Sequence, residues 1–479
     1  MKRVIAARVA LVLPVNTEFV SMQLPPQHIF RAYDIRGVVG DSLTEQGVRL
    51  IGQAIGSEAR ALGVRCIALG RDGRLSGQSL AEQLKNGILA SGVEVLDIGQ
   101  VATPMLYFAA ISHCEGSGVM LTGSHNPPDY NGIKIMLGGE TLCDGRIYDL
   151  HRRLLENDLQ QGSAVSRQAD IYTEYQQTIL KDVHLSRALK VVVDGGNGVA
   201  GPFASHLLQA LGCEVVELYC EVDGSFPNHH PDPNRPENLA DLSARVIAEQ
   251  ADLGIALDGD GDRTGVVDER GKILWPDRLM MYLAQKLLQK NPGAMVIYDV
   301  KCTRALEDVI RRAGGVPLMW KSGHSYAKAK LKETEAILAG ELSGHLFFND
   351  HWFGFDDGIY AAARLIELLA QEPEAVSKVF ARLPELLSTP ELQLKMQEGE
   401  PERLMQKLAA HIDFTDVRIF DVDGLRLEFP EGWALLRASN TTPTLVLRFE
   451  AGDAGSLINI QERIRHWLDL IEPGLDLPF

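Results

Sequence analysis

The chain has 479 residues, 45% of them apolar, with a formal net charge of −17 and a pI near 5.3. That length suggests three or four domains of roughly 100–150 residues each, and the acidic balance argues against nonspecific binding to nucleic acid or to an anionic membrane, though not against a small anionic substrate. No run approaches the roughly 18 uninterrupted apolar residues of a membrane helix, and the six cysteines form no CxxC pair, which indicates neither a disulfide framework nor a zinc ribbon and fits a reducing cytoplasm.

Lys2-Arg3 and the apolar residues on either side of Arg8 look superficially like a signal peptide, but Arg8 breaks the apolar region and no small-x-small cleavage site follows. Residues 1–21 are therefore expected to be an extension outside the fold. Residues 29–37, which include Tyr33 and Arg36, are dense in aromatic and basic side chains and by themselves read as a strand with solvated arginines. Ser42-Leu43-Thr44-Glu45 fits a capping box that opens an amphipathic helix to about residue 62.

A unit of strand, glycine or polar loop, helix and second strand then occurs three times. The first copy runs through Cys66-Ile67-Ala68-Leu69-Gly70, a helix near 79–90 and Gly92-Val93-Glu94-Val95. The second runs through Val191-Val192-Val193-Asp194, a helix near 202–211 and Cys213-Glu214-Val215-Val216. The third runs through Met295-Val296-Ile297-Tyr298, a helix near 303–313 and Gly315-Val316-Pro317-Leu318. This alternation predicts parallel α/β sheets.

Each copy reaches a third strand that empties into a loop rich in functional groups: Thr122-Gly123-Ser124-His125, Asp258-Gly259-Asp260-Gly261-Asp262-Arg263 and Gly340-Glu341-Leu342-Ser343-Gly344-His345. Ligands of open α/β sheets bind beyond the carboxyl ends of strands, so three loops in equivalent positions predict one cleft shared by three similar domains. The tail differs. Residues 418–420, an Asp423-Gly424 turn and residues 425–429 read as a hairpin, two more strands and a helix near 457–471 follow, and the proline-punctuated segment 383–390 reads as a hinge to this smaller α+β domain.

The loops carry distinct chemistry. Ser124 is delivered by the strand-like Gly118-Val119-Met120-Leu121, and Pro127-Pro128 bars the loop from continuing as a helix. With His125 and Lys134 nearby in sequence, Ser124 suits a nucleophile or phosphoryl carrier, or an ordinary polar loop. Asp258, Asp260 and Asp262 alternate with glycines that let three carboxylates converge on a hard cation such as magnesium. An EF-hand is excluded, because Arg263 stands where that loop needs glycine and the flanks read as strands. Arg437-Ala438-Ser439-Asn440-Thr441-Thr442-Pro443 collects the donors that a phosphate monoester needs. Glu341 and Ser343 suit sugar hydroxyls, and His324 suits proton transfer or a phosphate contact; each reads equally as a polar turn. Gly196-Asn197-Gly198-Val199-Ala200-Gly201 matches GxGxxG, with Glu217 near the place of a ribose-binding acid, but the unit recurs elsewhere without the glycines, so they are expected to serve a tight turn.

Together, Thr122-Gly123-Ser124-His125-Asn126-Pro127, the aspartate loop, the Gly340–His345 loop and Arg437-Ala438-Ser439-Asn440-Thr441-Thr442-Pro443 resemble the α-D-phosphohexomutases, in the bacterial phosphomannomutase/phosphoglucomutase form, from about residue 30 to the C-terminus. Gly123 stands where many relatives carry alanine, an exchange expected to be harmless. The resemblance implies three similar α/β domains with mixed sheets plus a C-terminal α+β domain, all four around a central cleft. Their expected bounds are 22–168, 169–271, 272–384 and 385–479.

It further implies a phosphoryl group on Ser124. One Mg2+ per chain would be held by Asp258, Asp260, Asp262 and an oxygen of phosphoserine 124. Mannose or glucose 1-phosphate and 6-phosphate would interconvert through a hexose 1,6-bisphosphate that turns over in the cleft. Lys134, Arg36 and His324 would serve in proton transfer or charge stabilisation, and Tyr33 and Arg263 would lie near the reacting group. Glu341, Ser343 and His345 would bind the sugar, and Arg437, Ser439, Asn440 and Thr441 the non-reacting phosphate. A monomeric, cytoplasmic enzyme acting on hexose phosphates, without nucleic acid or membrane, is expected. The alternatives are a phosphoglucosamine mutase, a sugar-phosphate phosphatase, an inactive sugar-phosphate sensor and an NAD-dependent enzyme.

Overall fold

Runs such as Val191-Val192-Val193 are β-branched and have no polar face, so they form strands covered on both sides. In the structure, a computed structural model describing residues 24–439 and 442–479, such runs build the centres of the sheets. The expected extension 1–21, and Asn440 and Thr441 of the phosphate loop, lie outside the described residues.

Four sheets of seven, five, four and six strands follow one another along the described chain. The first runs Ile35–Val38, Tyr130–Leu137, Gly118–Leu121, Cys66–Arg71, Glu94–Gln100, Ser166–Gln168, with Glu140–Thr141 beside Tyr130–Leu137. The second runs Ile273–Leu274, Thr264–Asp268, Leu253–Leu257, Lys190–Asp194, Glu214–Leu218. The third runs Val316–Trp320, Met295–Asp299, Leu338–Gly340, Leu346–Phe348.

The threefold repeat is real, but the sheets are mixed where spacing alone predicted parallel ones. In each copy three strands lie parallel, and the chain then turns back antiparallel. Those turn-backs are residues 122–129, 258–263 and 341–345, the three loops singled out above. The fourth sheet is antiparallel throughout.

One helix start is corrected. Ser42 does not cap Glu45–Ala61; its hydroxyl accepts from Val38 N, and the cap is Thr44, whose side chain accepts from Gly47 N at 3.1 Å. The turn after Ile35–Val38 captures Ser42 first, and Thr44 is the next hydroxyl with extended backbone.

Helix Thr103–His113 is apolar nearly all round and is buried as such helices must be, in a core shared with Tyr175, Ile359 and Tyr360 of the following units. Its N-terminus faces the aspartate loop, where Thr103 N donates to Asp260 O at 2.8 Å.

Asp357 ties this region together. Its carboxylate caps Gly358–Ala370 through Tyr360 N (2.8 Å) and accepts from Tyr175 OH (2.9 Å) and Trp352 Nε1 (3.1 Å). Asp357→Ala would orphan these buried donors and should cost about 2–4 kcal/mol in denaturant unfolding. Burial pushes the Asp357 carboxyl up to about 7. A folded value above the unfolded one gives stability that is present in acid and lost as pH rises through 7. The gap between wild type and Asp357→Ala should therefore narrow from pH 5 to pH 8, as read by unfolding at both.

The C-terminal domain docks on the third unit through Arg426, which is buried over Trp433 at 4.0 Å and donates to the carbonyls of Val300 and Cys302 at 2.7 Å each. The segment 383–390 contributes Leu387–Ser388 to the fourth sheet, while Glu385 pairs with Lys272 and Arg278.

Candidate active site

Ser124 is 4% exposed and sits at φ +48, a left-handed backbone that a residue with a Cβ adopts only when its surroundings enforce it. The enforcement comes from Asp72 and Arg74, which sequence reasoning missed. Arg74 is buried and donates to the carbonyls of Ser124 (2.8 Å), Asn126 (2.6 Å), Pro127 (2.5 Å) and Tyr130 (2.9 Å). Asp72 pairs with Arg74 at 3.2 Å and accepts from Thr122 Oγ1 and Gly123 N. The available signal was Arg71-Asp72-Gly73, a polar loop at the same strand end as the other site loops.

Gly123 is not interchangeable with alanine in this setting. A Cβ there would stand 2.4 Å from the Arg74 guanidinium, which its carbonyl partners hold in place. Gly123→Ala should lose about 1–3 kcal/mol of stability as Arg74 is pushed off the loop; melting curves check this, and Arg74→Lys should soften the effect.

The aspartate loop is a hairpin connection, not an EF-hand, and it is the hub of the cleft. Ser124 Oγ donates to Asp258 Oδ2 at 2.9 Å. Asp258 also accepts from Arg263 Nε (3.0 Å) and Gly261 N (3.0 Å). Lys134 Nζ lies 2.7 Å from Asp260 Oδ2 and pairs with Asp262. Arg263 in turn reaches His125, Asp232 and the Ser124 hydroxyl. Arg36 donates to Asn126 Oδ1 at 2.5 Å and pairs with Asp34. Ser124, Lys134 and Arg263 thus meet on the aspartate loop, and Arg36 reaches Asn126 two residues beyond the serine.

Burial works against His125, and the nearby Arg263 adds to it, so the imidazole is held neutral well below its ordinary range. Burial also opposes charge on Lys134, but Asp260 and Asp262 outweigh it and keep the ammonium protonated.

Asp258, Asp260 and Asp262 have carboxylate oxygens within 4.8 Å of one another, all fully buried. Burial and then the adjacent Asp262 push the Asp258 carboxyl up to about 8, a sign of carboxylates crowded beyond their share of positive charge. Asp260 Oδ1 and Asp262 Oδ1 are buried without a hydrogen-bond partner among the described residues. Hard oxygen donors with lone pairs to spare fit a divalent cation of the magnesium kind.

Asp262, His345 and Asp356 form a second close group. Its carboxylates already carry Lys134 and Lys328, the latter at 2.8 Å from Asp356, so it reads as an ion-pair cluster.

On the third unit, Glu341 accepts from Gly323 N (2.6 Å) and from Ser343 Oγ (2.9 Å), so the carboxylate and the His324 loop are fixed together. Tyr33 reaches across from the first unit and packs edge-on against His324 at 5.4 Å. His324 Nδ1 lies 3.4 Å from Asp356 and 3.2 Å from Lys328 Nζ; burial, then Lys328, keeps this imidazole neutral. His345, expected as a sugar contact, turns Nδ1 toward Asp356 (3.3 Å) and Asp262 (3.8 Å). Burial opposes its charge, but those two carboxylates prevail and raise its pKa. Asp356 and Lys328 carry no recognisable motif in the sequence.

On the C-terminal domain Arg437 is buried and pairs with Asp423 at 3.1 Å, while its Nε has no hydrogen-bond partner among the described residues. Ser439 belongs to the same turn, where its hydroxyl accepts from Thr442 Oγ1 at 3.1 Å. Asp423 also accepts from Ser322 N (3.0 Å), so it links Arg437 to the His324 loop.

The GxGxxG turn serves packing. A Cβ at Gly198 would meet Gly259 O at 2.9 Å, and one at Gly201 would meet Cys220 Cα at 2.9 Å, while the Glu217 carboxylate is taken by Ser205. The glycines let the aspartate loop close against this turn.

Family comparisons agree in order and extent. The chain matches phosphoglucomutase/phosphomannomutase alpha/beta/alpha domain I over residues 27–150, domain II over 171–271, domain III over 275–387 and the C-terminal domain over 391–466. It is 53% identical to a phosphomannomutase/phosphoglucomutase of Pseudomonas aeruginosa over 455 residues, 95% of this chain and 98% of that one. It is 51% identical to a phosphoglucomutase of Neisseria gonorrhoeae over 444 residues, 91% and 96% respectively. Among solved structures, a phosphoglucomutase/phosphomannomutase family protein of Burkholderia thailandensis superposes with a TM-score of 0.91 at 50% identity, covering 95% of this chain and all of the other.

Proposed function

The chain belongs to the phosphoglucomutase/phosphomannomutase family of α-D-phosphohexomutases, and from that premise we propose that it interconverts the 1- and 6-phosphates of mannose and glucose, with Ser124 as the resident phosphoryl carrier. The observation that carries this reading is the strained, buried Ser124 with its hydroxyl 2.9 Å from Asp258 at the mouth of the carboxylate trio. Water and a sugar hydroxyl would both attack the same phosphorus, and the paired Glu341 and Ser343 in the third unit favour a sugar as the acceptor.

In the first half-reaction the phosphorus–oxygen bond to Ser124 breaks as one forms to the free sugar hydroxyl. The proton of that hydroxyl passes to a base in the cleft while the freed Ser124 oxygen takes one up, and the product is a hexose 1,6-bisphosphate. After the intermediate turns over, the other phosphoryl group returns to Ser124 and the sugar hydroxyl regains a proton.

Arg263 at the serine, Lys134 on the aspartates and Arg36 on Asn126 would supply the positive charge that the transferring group needs. Buried His324, held neutral, suits proton transfer near the sugar. Glu341 and Ser343 serve the ring hydroxyls, with His345 beside them, and Tyr33 closes the side of the cleft. Arg437 and Ser439, with Asn440 and Thr441 of the same sequence turn, hold the phosphate that does not react. Asp258, Asp260, Asp262 and a phosphoserine oxygen would hold Mg2+, which when bound neutralises phosphoryl oxygens.

We place the domain bounds at 22–168, 169–271, 272–384 and 385–479, with closure of the last through residues 383–390 to retain the intermediate. Assays with the 1-phosphates of mannose, glucose and glucosamine side by side test the reading. Formation of mannose and glucose 6-phosphates is expected. Free phosphate without a hexose 6-phosphate would sink it, and a clear preference for the glucosamine substrate would overturn the choice of sugar.

A further inference from the structure

We propose that Thr103 is a positioning residue that selects which oxygen of Asp260 is offered to the divalent cation. The inference rests on the magnesium-assisted reading given above. Thr103 opens helix Thr103–His113 in the first domain and is fully buried. Its hydroxyl donates to Asp260 Oδ2 at 2.5 Å, between residues 157 positions apart in the chain. Its backbone N donates to Asp260 O at 2.8 Å. One residue of the first domain thus holds both the main chain and the carboxylate of a residue in the second.

Lys134 Nζ occupies the same Oδ2 at 2.7 Å, so that oxygen already has two donors, whereas Oδ1 is buried with none. The hydroxyl and Lys134 together hold Oδ2, and the hydroxyl is the neutral donor of the two, so it fixes the carboxylate's rotation without competing for the cation's charge. The β-branch of threonine restricts its χ1, so the hydroxyl is pre-aimed at little entropic cost. The neighbouring loop leaves no slack for a substitute arrangement, since a Cβ at Gly261 would meet the Ala200 methyl at 2.5 Å and the Ala102 methyl at 3.3 Å. Losing a residue that orients a ligand in this way typically weakens metal binding by about 10–100-fold.

The test is calorimetric titration of the full chain with Mg2+, repeated with Mn2+ followed by paramagnetic resonance. Thr103→Ala deletes the hydroxyl and keeps the backbone bond; Thr103→Ser restores the hydroxyl. The alanine variant should bind both cations about 10–100-fold more weakly, and the serine variant should recover most of that loss. The rate of the alanine variant should climb toward wild type as Mg2+ is raised, so that the change falls on the metal requirement and not on kcat. Wild-type affinity in the alanine variant overturns the proposal, as does equal loss in the alanine and serine variants. Wild type that binds neither cation overturns the magnesium reading itself, and this inference with it.

Discussion

Replacing Ser124 with alanine should leave a folded chain that is all but inactive, with a loss on the order of 10⁴-fold or more, as removal of a covalent carrier commonly gives. The hydroxyl makes one good hydrogen bond, to Asp258, and its loss removes no packing volume beyond one atom. The positive φ is enforced by the grip of Arg74 on the flanking carbonyls, and that grip does not involve the side chain being removed. Stability should therefore stay near wild type while the reaction loses its carrier. Intact mass should show one phosphoryl group on the wild-type protein and none on Ser124→Ala. A phosphoryl group that persists in the variant, or a rate within tenfold of wild type, would mean that the carrier lies elsewhere.

Asp260→Asn should lower the rate on the order of 10³-fold, because several kcal/mol of charge stabilisation at the phosphoryl oxygens go with the cation. An amide cannot supply the anionic oxygen, and it presents an N–H₂ group where the loop has an acceptor. The effect should be separable from misfolding by chelation. Wild type treated with a chelator should fall to a similar rate and recover fully with added Mg2+, whereas Asp260→Asn should not recover at any concentration. Full activity in chelated wild type would remove the cation from the mechanism. Lys134 makes the comparison sharper, since Asp260 and Asp262 share its ammonium and loss of one carboxylate leaves Lys134 paired with the other.

The groups of the candidate site were largely legible because each lies in a short run whose composition makes little sense otherwise. Three aspartates in five residues, or an arginine followed by three hydroxyls and an amide, are costly as plain turns. The groups that hold those runs in shape were not legible. Arg74 and Thr103 have partners far along the chain, and Asp356 gathers His324, Lys328 and His345 from other stretches of the third unit. Gly123 shows the limit most directly: by composition its exchange for alanine looks harmless, and only the Arg74 guanidinium beside it makes it otherwise.

His345 differs in kind. Its loop was found, but the direction of its Nδ1 depends on Asp356, which starts from a different turn of the third unit. The capping of Glu45–Ala61 is a smaller case, because two hydroxyls fit the local pattern and a strand turn decides which one is free.

By itself the sequence determined the threefold strand–helix repeat, the four chemistry-bearing loops and the emergence of three of them from equivalent strand ends. These follow from local periodicity and from the positions of glycine, proline and polar clusters, and they need only near neighbours. The tertiary structure alone decided the left-handed backbone at Ser124 and the oxygen of Asp260 left without a partner among the described residues. Each of those is set by a buried hydrogen bond or close contact between segments distant in the chain, and such bonds are specified only once the segments pack and exclude the water that would otherwise satisfy them.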